Sequence, residues 1–395
     1  MTLDPTVLAF TPDAVALRRD IHAHPETGFN EHRTAALIAE NLAAWGIAVT
    51  TGLGGTGVVG VLEGNRPGRT IGLRSDIDAL PMQSALAVAW ASTVDGVFHG
   101  CGHDGHTATL LLTARALAAT RDFAGRVIFI FQPAEEGLGG ARAMIRDGLF
   151  ARFPCDEVYA WHNWPDLPFG KIAATSGPVM AGADFFDITL HGQGAHAAMP
   201  NQARDVIPAT GALLSALQTI VAREIDPLKS AVLSVTKVDA GSAYNVLPAT
   251  AQLGGTLRYF DDAVGATLRD SLTRVAHGVA AAHGLTATVE TRNAFSVTRN
   301  DAQLTDAAAT LAAELFGPEA VLRTHPPSMG AEDFADMLSE VPGVYLQVGH
   351  KGNVALHNPA FAFDDDIMPV VATLLMRIVA ARGATRDQAS PCGRP

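Results

Sequence analysis

The sequence predicts an α/β fold: a mostly parallel sheet with helices on both faces, carrying an inserted ferredoxin-like α+β unit. Three observations predict it. At 395 residues the chain exceeds what one hydrophobic core comfortably serves, so two domains are expected. Helical periodicity and short apolar runs alternate along the first part, the pattern of a layered sheet with crossover helices. After Gly177 the order changes to β-α-β-β-α-β, the split ferredoxin-like arrangement.

Taken in order, residues 14–21 and 31–45 have helical periodicity, while 58–62 and 70–73 read as strands. Residues 106–119 are rich in Leu and Ala and predict a helix. Residues 126–131, Arg-Val-Ile-Phe-Ile-Phe, are almost wholly apolar, as a strand covered on both faces must be. Residues 156–161 predict a further strand. In the insert, 184–190 predicts a strand, 205–224 a helix, 231–238 and 251–259 strands, 263–282 a helix and 285–290 a strand. The expected domains are therefore 1–180 with 293–395, and 181–292.

Gly52-Leu-Gly-Gly-Thr-Gly57 matches the dinucleotide pattern G-x-G-x-x-G. Phosphate binding requires a helix N-terminus directly after the glycines. Here Val58-Val-Gly-Val-Leu62 follows, strand-like, so the glycines predict a turn between strands.

Composition narrows the function. Hydrophobic residues make up 48% and charged residues 17%, values of a compact enzyme. A net charge of −12 opposes a nucleic-acid partner, which would be repelled. No apolar run is read as a membrane span, and no signal peptide is read at the N-terminus. The odd cysteine count, Cys101, Cys155 and Cys392, is no disulfide framework and suits a reducing cytoplasm. Cys392 falls in a polar tail, and Cys155 reads as filler.

The densest chemical signal is His99-Gly-Cys-Gly-His-Asp-Gly-His106, just ahead of the predicted 106–119 helix. Thiolate and imidazole suit borderline divalent metals, and the C-x-H spacing on a glycine-loosened loop lets Cys101 and His103 converge. His99 and His106 are expected as supports. Gln132-Pro-Ala-Glu-Glu-Gly137 follows the apolar strand, where ligand crevices of open sheets lie. Adjacent glutamates point in different directions, so one carboxylate is expected to bind metal while the other faces a water as general base. His162 and His357 also follow apparent strands. Five candidates at the strand ends of one sheet form a set.

Together these residues resemble the M20 family of metallopeptidases and aminoacylases, in particular its amidohydrolase branch with hippurate hydrolases and auxin-conjugate hydrolases. The resemblance spans nearly the whole chain: Leu17-Arg-Arg-Asp-Ile-His-Ala-His-Pro-Glu26, Leu73-Arg-Ser-Asp-Ile-Asp-Ala-Leu-Pro81, the Cys/His block, Pro133-Ala-Glu-Glu-Gly137, Gly194-Ala-His-Ala-Ala-Met-Pro200, Asn245-Val-Leu-Pro248, Gly255-Thr-Leu-Arg258 and Leu356-His-Asn-Pro359. It implies that Cys101 bridges two divalent ions (Zn²⁺, Mn²⁺, Co²⁺ or Ni²⁺), completed by His103, Glu136, His162 and His357, with Glu135 as base. It implies that His196 and Asn245 polarise the scissile carbonyl, that Arg258 meets the substrate carboxylate, and that Asp78 supports the metal site. It also implies that the insert is a lid through which homodimers or homotetramers form. Asn201, where relatives often carry His, and Trp161, where smaller residues are frequent, bear on specificity.

The activity so implied is metal-dependent hydrolysis of the amide bond of an N-acyl amino acid, with turnover falling in acid as the ligands take up protons. Three rivals remain open: a peptidase of the same family acting on dipeptides, a thiol hydrolase with Cys101 as nucleophile, and a non-catalytic metal-bound binding or regulatory module.

Overall fold

The first helix begins where a cap is available, not where apolar periodicity begins. Asp4 accepts hydrogen bonds from the backbone N–H groups of Thr6 and Val7, and Pro5 sits in the first turn. Helix α1 therefore spans Pro5–Ala23, well ahead of the expected start at residue 14, and accommodates Pro12 in its interior. The computed structural model describes residues 2–352 and 354–384, so Cys392 lies outside the described residues.

The chain continues through α2 (His32–Ala44), β1 (Ala48–Leu53), β2 (Gly57–Glu63), β3 (Arg66–Asp76), α3 (His103–Thr120), β4 (Ala124–Gln132), α4 (Gly140–Arg146), α5 (Leu149–Arg152), β5 (Glu157–Trp164), β6 (Ile172–Ala173) and β7 (Gly177–Met180). The insert holds β8 (Gly182–His191), β9 (Ala195–His196), α6 (Val206–Glu224), β10 (Ala231–Asp239), β11 (Val246–Leu247), β12 (Thr250–Tyr259), α7 (Asp262–Ala282) and β13 (Thr286–Phe295). Then come β14 (Thr298–Asn300), α8 (Ala302–Phe316), β15 (Val321–Leu322), α9 (Phe334–Glu340), β16 (Gly343–Gly349) and α10 (Met368–Arg382).

Two compact units result: Met1–Val179 with Arg299–Pro326 and Asp333–Pro395, and Met180–Thr298 with Pro327–Glu332. The second boundary falls beyond the expected 292/293, because β13 runs on to Phe295, pairing that residue with Ala183. The short segment Pro327–Glu332 groups with the insert through a bridge between Met180 and Ser328, a long-range pairing that sequence order conceals.

In the first unit an 8-stranded sheet runs β1-β2-β4-β3-β5-β16-β6-β15. Its centre, β4-β3-β5-β16, is parallel throughout. Strands β4, β5 and β16 are buried at nearly every residue, so helices cover both faces. Helix α3 packs on β3, β4 and β5 and against α1 and α10; α4 and α9 pack together and on β4, β5 and β16. Val7, Leu111, Phe129, Tyr159 and Val371 belong to the shared core. The glycine run at 52–57 makes the β1–β2 hairpin turn, with Gly52, Gly54 and Gly55 at φ 87, 62 and 95.

In the inserted unit the antiparallel sheet β10-β12-β8-β13 carries α6 and α7 over a separate core of Phe186, Leu213, Leu253 and Leu272. Strand order and connectivity are those of the ferredoxin-like unit. Helix α6 is long and apolar enough to cross a membrane, which corrects the expectation that no segment is. Its buried residues Val206, Ala209, Leu213, Leu217 and Ile220 recur every three or four positions, the spacing of a helix lying on a sheet.

Candidate active site

Three loops and one strand of the first unit deliver the chemistry. Gly102 adopts φ 95 and turns the chain into α3, so His103 opens that helix and Cys101 lies just before it. A Cβ at Gly102 would meet Asn163 Oδ1 at 2.5 Å, which confines the position to glycine on two counts. Glu135 and Glu136 follow the end of β4 at Gln132, and His357 lies in the loop beyond β16. His162 is inside β5, paired in register with Gln347, and not past its end as the sequence suggested. The picture of five strand-end ligands is therefore corrected: Cys101 and His103 sit at a helix start, after a long excursion from β3.

All five candidate ligands nevertheless come together. Ligand atoms of Cys101, His103 and His162 lie within 4.8 Å of one another, and so do those of Cys101, Glu136 and His357. Cys101 belongs to both groups. Its Sγ is 3.4 Å from His162 Nε2, His357 Nε2 is 3.2 Å from Glu136 Oε1, and His103 Nε2 is 4.0 Å from that same oxygen. Glu135, buried, forms a third group with His103 and Glu136.

The surroundings aim the imidazoles. His103 Nδ1 donates to Asp78 Oδ1 at 3.1 Å and to the Asp78 carbonyl at 3.0 Å. His162 Nδ1 donates to the Asn163 carbonyl at 2.8 Å. Each ring therefore carries a proton on Nδ1, which reserves Nε2 for the centre. His103 Nε2 is buried there and makes no hydrogen bond among the described residues, as expected of an atom built to meet a cation. Asp78 also accepts the backbone N–H of Glu136 at 3.0 Å through Oδ2, so one carboxylate orients two candidate ligands.

Electrostatics point the same way. Burial raises the pKa of Cys101 and pushes that of His162 well below its usual value. Burial also opposes charge on His103, but the Asp76 carboxylate and Cys101 outweigh it and hold its pKa well above the usual range. Hydrogen bonds to Cys101 and Glu136 raise His357 to about 10. The raised values of His103 and His357, beside Asp76, Cys101 and Glu136, mark a place where positive charge is favoured, whereas burial keeps Cys101 and His162 neutral.

Asp76 escaped the sequence reading. It is fully buried between Arg74 Nη1, at 2.8 Å, and His106 Nδ1, at 2.6 Å, and stands 3.8 Å from His103 Nε2. The Asp-x-Asp spacing at the end of β3 was the available signal. His106 links Asp76 to Asn163 Oδ1 at 2.5 Å, a support as expected. His99 is buried beside His22, with ring centroids 6.2 Å apart, and burial lowers its pKa to about 4. Trp161, expected near substrate, is 2% exposed and packs edge-on against His106 at 4.8 Å, so it backs the site.

His196, Asn245 and Arg258 all belong to the inserted unit. His196 pairs in register with Val246, and Ala197 N donates to the Asn245 carbonyl at 3.0 Å, which sets these two side by side. Arg258 is half-buried on β12 and makes no ion pair among the described residues; burial lowers its pKa. Asn201 is exposed in a short 3₁₀ turn.

A thiol, three imidazoles and two carboxylates gathered beside a parallel sheet define a hydrolase with a candidate metal centre. The profile of peptidase family M20/M25/M40 matches residues 72–381, and the chain belongs to that family. It is 38% identical to the hippurate hydrolase of Campylobacter jejuni, over 96% of this chain and 98% of that protein. It is likewise 38% identical to the N-acetylcysteine deacetylase of Bacillus subtilis, over 92% and 95%. Among solved structures, the YXEP protein of Bacillus subtilis, described as a dinuclear metal-binding peptidase of the M20 family, superposes with a TM-score of 0.84. It is 34% identical and covers 95% of this chain and 99% of that one.

Proposed function

We propose that the protein hydrolyses the amide bond of N-acyl amino acids, using two divalent cations held by Cys101, His103, Glu136, His162 and His357. The observation that carries this reading is the pair of ligand groups sharing Cys101, with Glu135 alongside. Zn²⁺, Mn²⁺, Co²⁺ and Ni²⁺ all suit thiolate, imidazole and carboxylate donors. Bound there, such ions supply Lewis acidity and ease the ionisation of a water.

The side chains do the rest. Glu135 takes a proton from the attacking water and returns it to the departing amine nitrogen. His196 donates to the oxygen on which charge builds, and Asn245 orients the carbonyl. Arg258, half-buried and without an ion pair among the described residues, receives the substrate's carboxylate in bidentate fashion. The products are a carboxylic acid and an amino acid. A nucleophilic role for Cys101 is disfavoured because burial raises its pKa, so the reactive thiolate is scarce without a cation.

The test is a panel of N-acyl amino acids and dipeptides, each assayed with the four ions and after EDTA. Release of amino acid from N-acyl substrates, silenced by EDTA, is expected. Turnover untouched by exhaustive chelation would sink the metal reading. Cleavage confined to dipeptides would favour the second reading, peptidase action, which the description of the YXEP protein supports.

The working assembly under this reading is a homodimer or homotetramer formed through the inserted unit. The exposure of Leu228, Val238, Tyr244 and Val246 there supports it, and light scattering tests it. Residence in the cytoplasm is part of the same reading; the unpaired thiols of Cys101 and Cys155 suit it, and cell fractionation tests it.

A further inference from the structure

Glu31 is fully buried, yet its side chain does not serve the helix it opens. It is the N-cap residue of α2 and makes no capping bond. Glu26 caps instead: its carboxylate accepts the N–H of Arg33 at 2.9 Å, the N–H of Thr34 at 2.8 Å and the Thr34 hydroxyl at 3.0 Å. Glu31 is thereby released to reach elsewhere. Its carboxylate accepts the backbone N–H of Ala134 at 2.8 Å and the hydroxyl of Thr56 at 2.5 Å. Hiding a carboxylate is costly and burial raises its pKa, so those two bonds need a reason.

The reason lies at Ala134. It has φ 53, a left-handed conformation that strains an alanine, and it directly precedes Glu135. On the other side of Glu135, the N–H of Glu136 is held by Asp78. Two buried carboxylates thus grip the residues before and after Glu135. The loop that brings Glu31 also packs on this turn: a Cβ at Gly28 would lie 3.0 Å from the Cα of Ala134. Thr56 comes from the glycine-rich β1–β2 turn, which gains a part in the site without any nucleotide.

We propose that Glu31 is a positioning residue that fixes the strained turn carrying Glu135, so that the base meets the water in one orientation. This rests on the assignment of Glu135 as general base. Three variants of the full chain are compared for kcat, KM, bound metal and melting temperature. Glu31→Gln keeps an acceptor for Ala134, while the Thr56 hydroxyl can rotate to accept from the new amide. It is expected to stay within about threefold of wild-type kcat. Glu31→Asp, one methylene short, and Glu31→Ala are expected to lose about 10- to 100-fold in kcat, with KM and metal content within about twofold. If Glu31→Ala does not fold, Glu31→Asp carries the comparison. Wild-type kcat in Glu31→Asp, or a loss that merely follows metal content or melting temperature, overturns the inference. Glu135→Ala is assayed alongside. Its retained turnover would remove the base assignment itself, whereas a silent Glu135→Ala beside an unimpaired Glu31→Asp would remove only the role of Glu31.

Discussion

Glu135 and Glu136 are neighbours in the chain with different surroundings. Glu136 has an oxygen 3.2 Å from His357 Nε2 and its N–H tied to Asp78, while Glu135 stands near His103 without belonging to either group that shares Cys101. Replacing Glu135 by Ala should therefore cost about 10²- to 10⁴-fold in kcat, the usual worth of a positioned proton acceptor, and leave bound metal near wild type. Metal analysis beside steady-state kinetics checks both halves. Protons and cations compete for the ligand atoms. His103 is held well above its usual pKa, His357 is raised to about 10, and burial raises Cys101, so at pH 7 the metal-free site keeps all three protonated. Loading an ion must expel them. Metal affinity should rise with pH towards about 10, and titration calorimetry in buffers of different ionisation enthalpy should register about two or three protons released per site at pH 7. An affinity flat across that range would contradict it. At Arg258 the expectation is different in kind. Arg258→Ala removes a charge-assisted pair with the substrate carboxylate, so KM should rise by about 10- to 100-fold with little change in bound metal.

At the scale of elements, the apolar run of β4 and the six longer elements of the insert (β8, α6, β10, β12, α7 and β13) were legible because burial on both faces, or on one, writes itself into hydrophobic period. The start of α1 was not, since a cap and a tolerated proline set it. The grouping of His162 with Cys101 was legible only as a set of residue types; that His162 lies within β5 depends on the register with β16, which no local pattern encodes. Asp76 and Glu31 stayed hidden because each acts through partners far along the chain, His106 and Ala134. Helix α3 shows how tightly an element holds the site. A Cβ at Gly105 would lie 2.2 Å from the Phe363 ring, within one turn of His103. Gly105→Ala should thus force that ring or the helix start to move, destabilising by about 1–3 kcal/mol and weakening metal binding as well. Denaturant melts with and without added Zn²⁺ read both effects; a variant of unchanged stability would show that Phe363 gives way freely.

At the scale of the molecule, two hydrophobic cores share no residue: one surrounds the large sheet and one lies under α6 and α7. Cys101, His103, Glu136, His162 and His357 all belong to the first unit. A ligand that binds one folded unit stabilises that unit by mass action, by about 2.7 kcal/mol at a free concentration a hundred times its dissociation constant. Chains with separate cores commonly unfold in more than one step. Scanning calorimetry of the full chain should accordingly resolve two transitions, and EDTA should lower the temperature of one while leaving the other in place. The transition that moves should be the one slowed to hydrogen exchange by metal in α3 and β5, not in α6 or α7. A single endotherm shifting as a whole would mean that the two cores melt as one cooperative body.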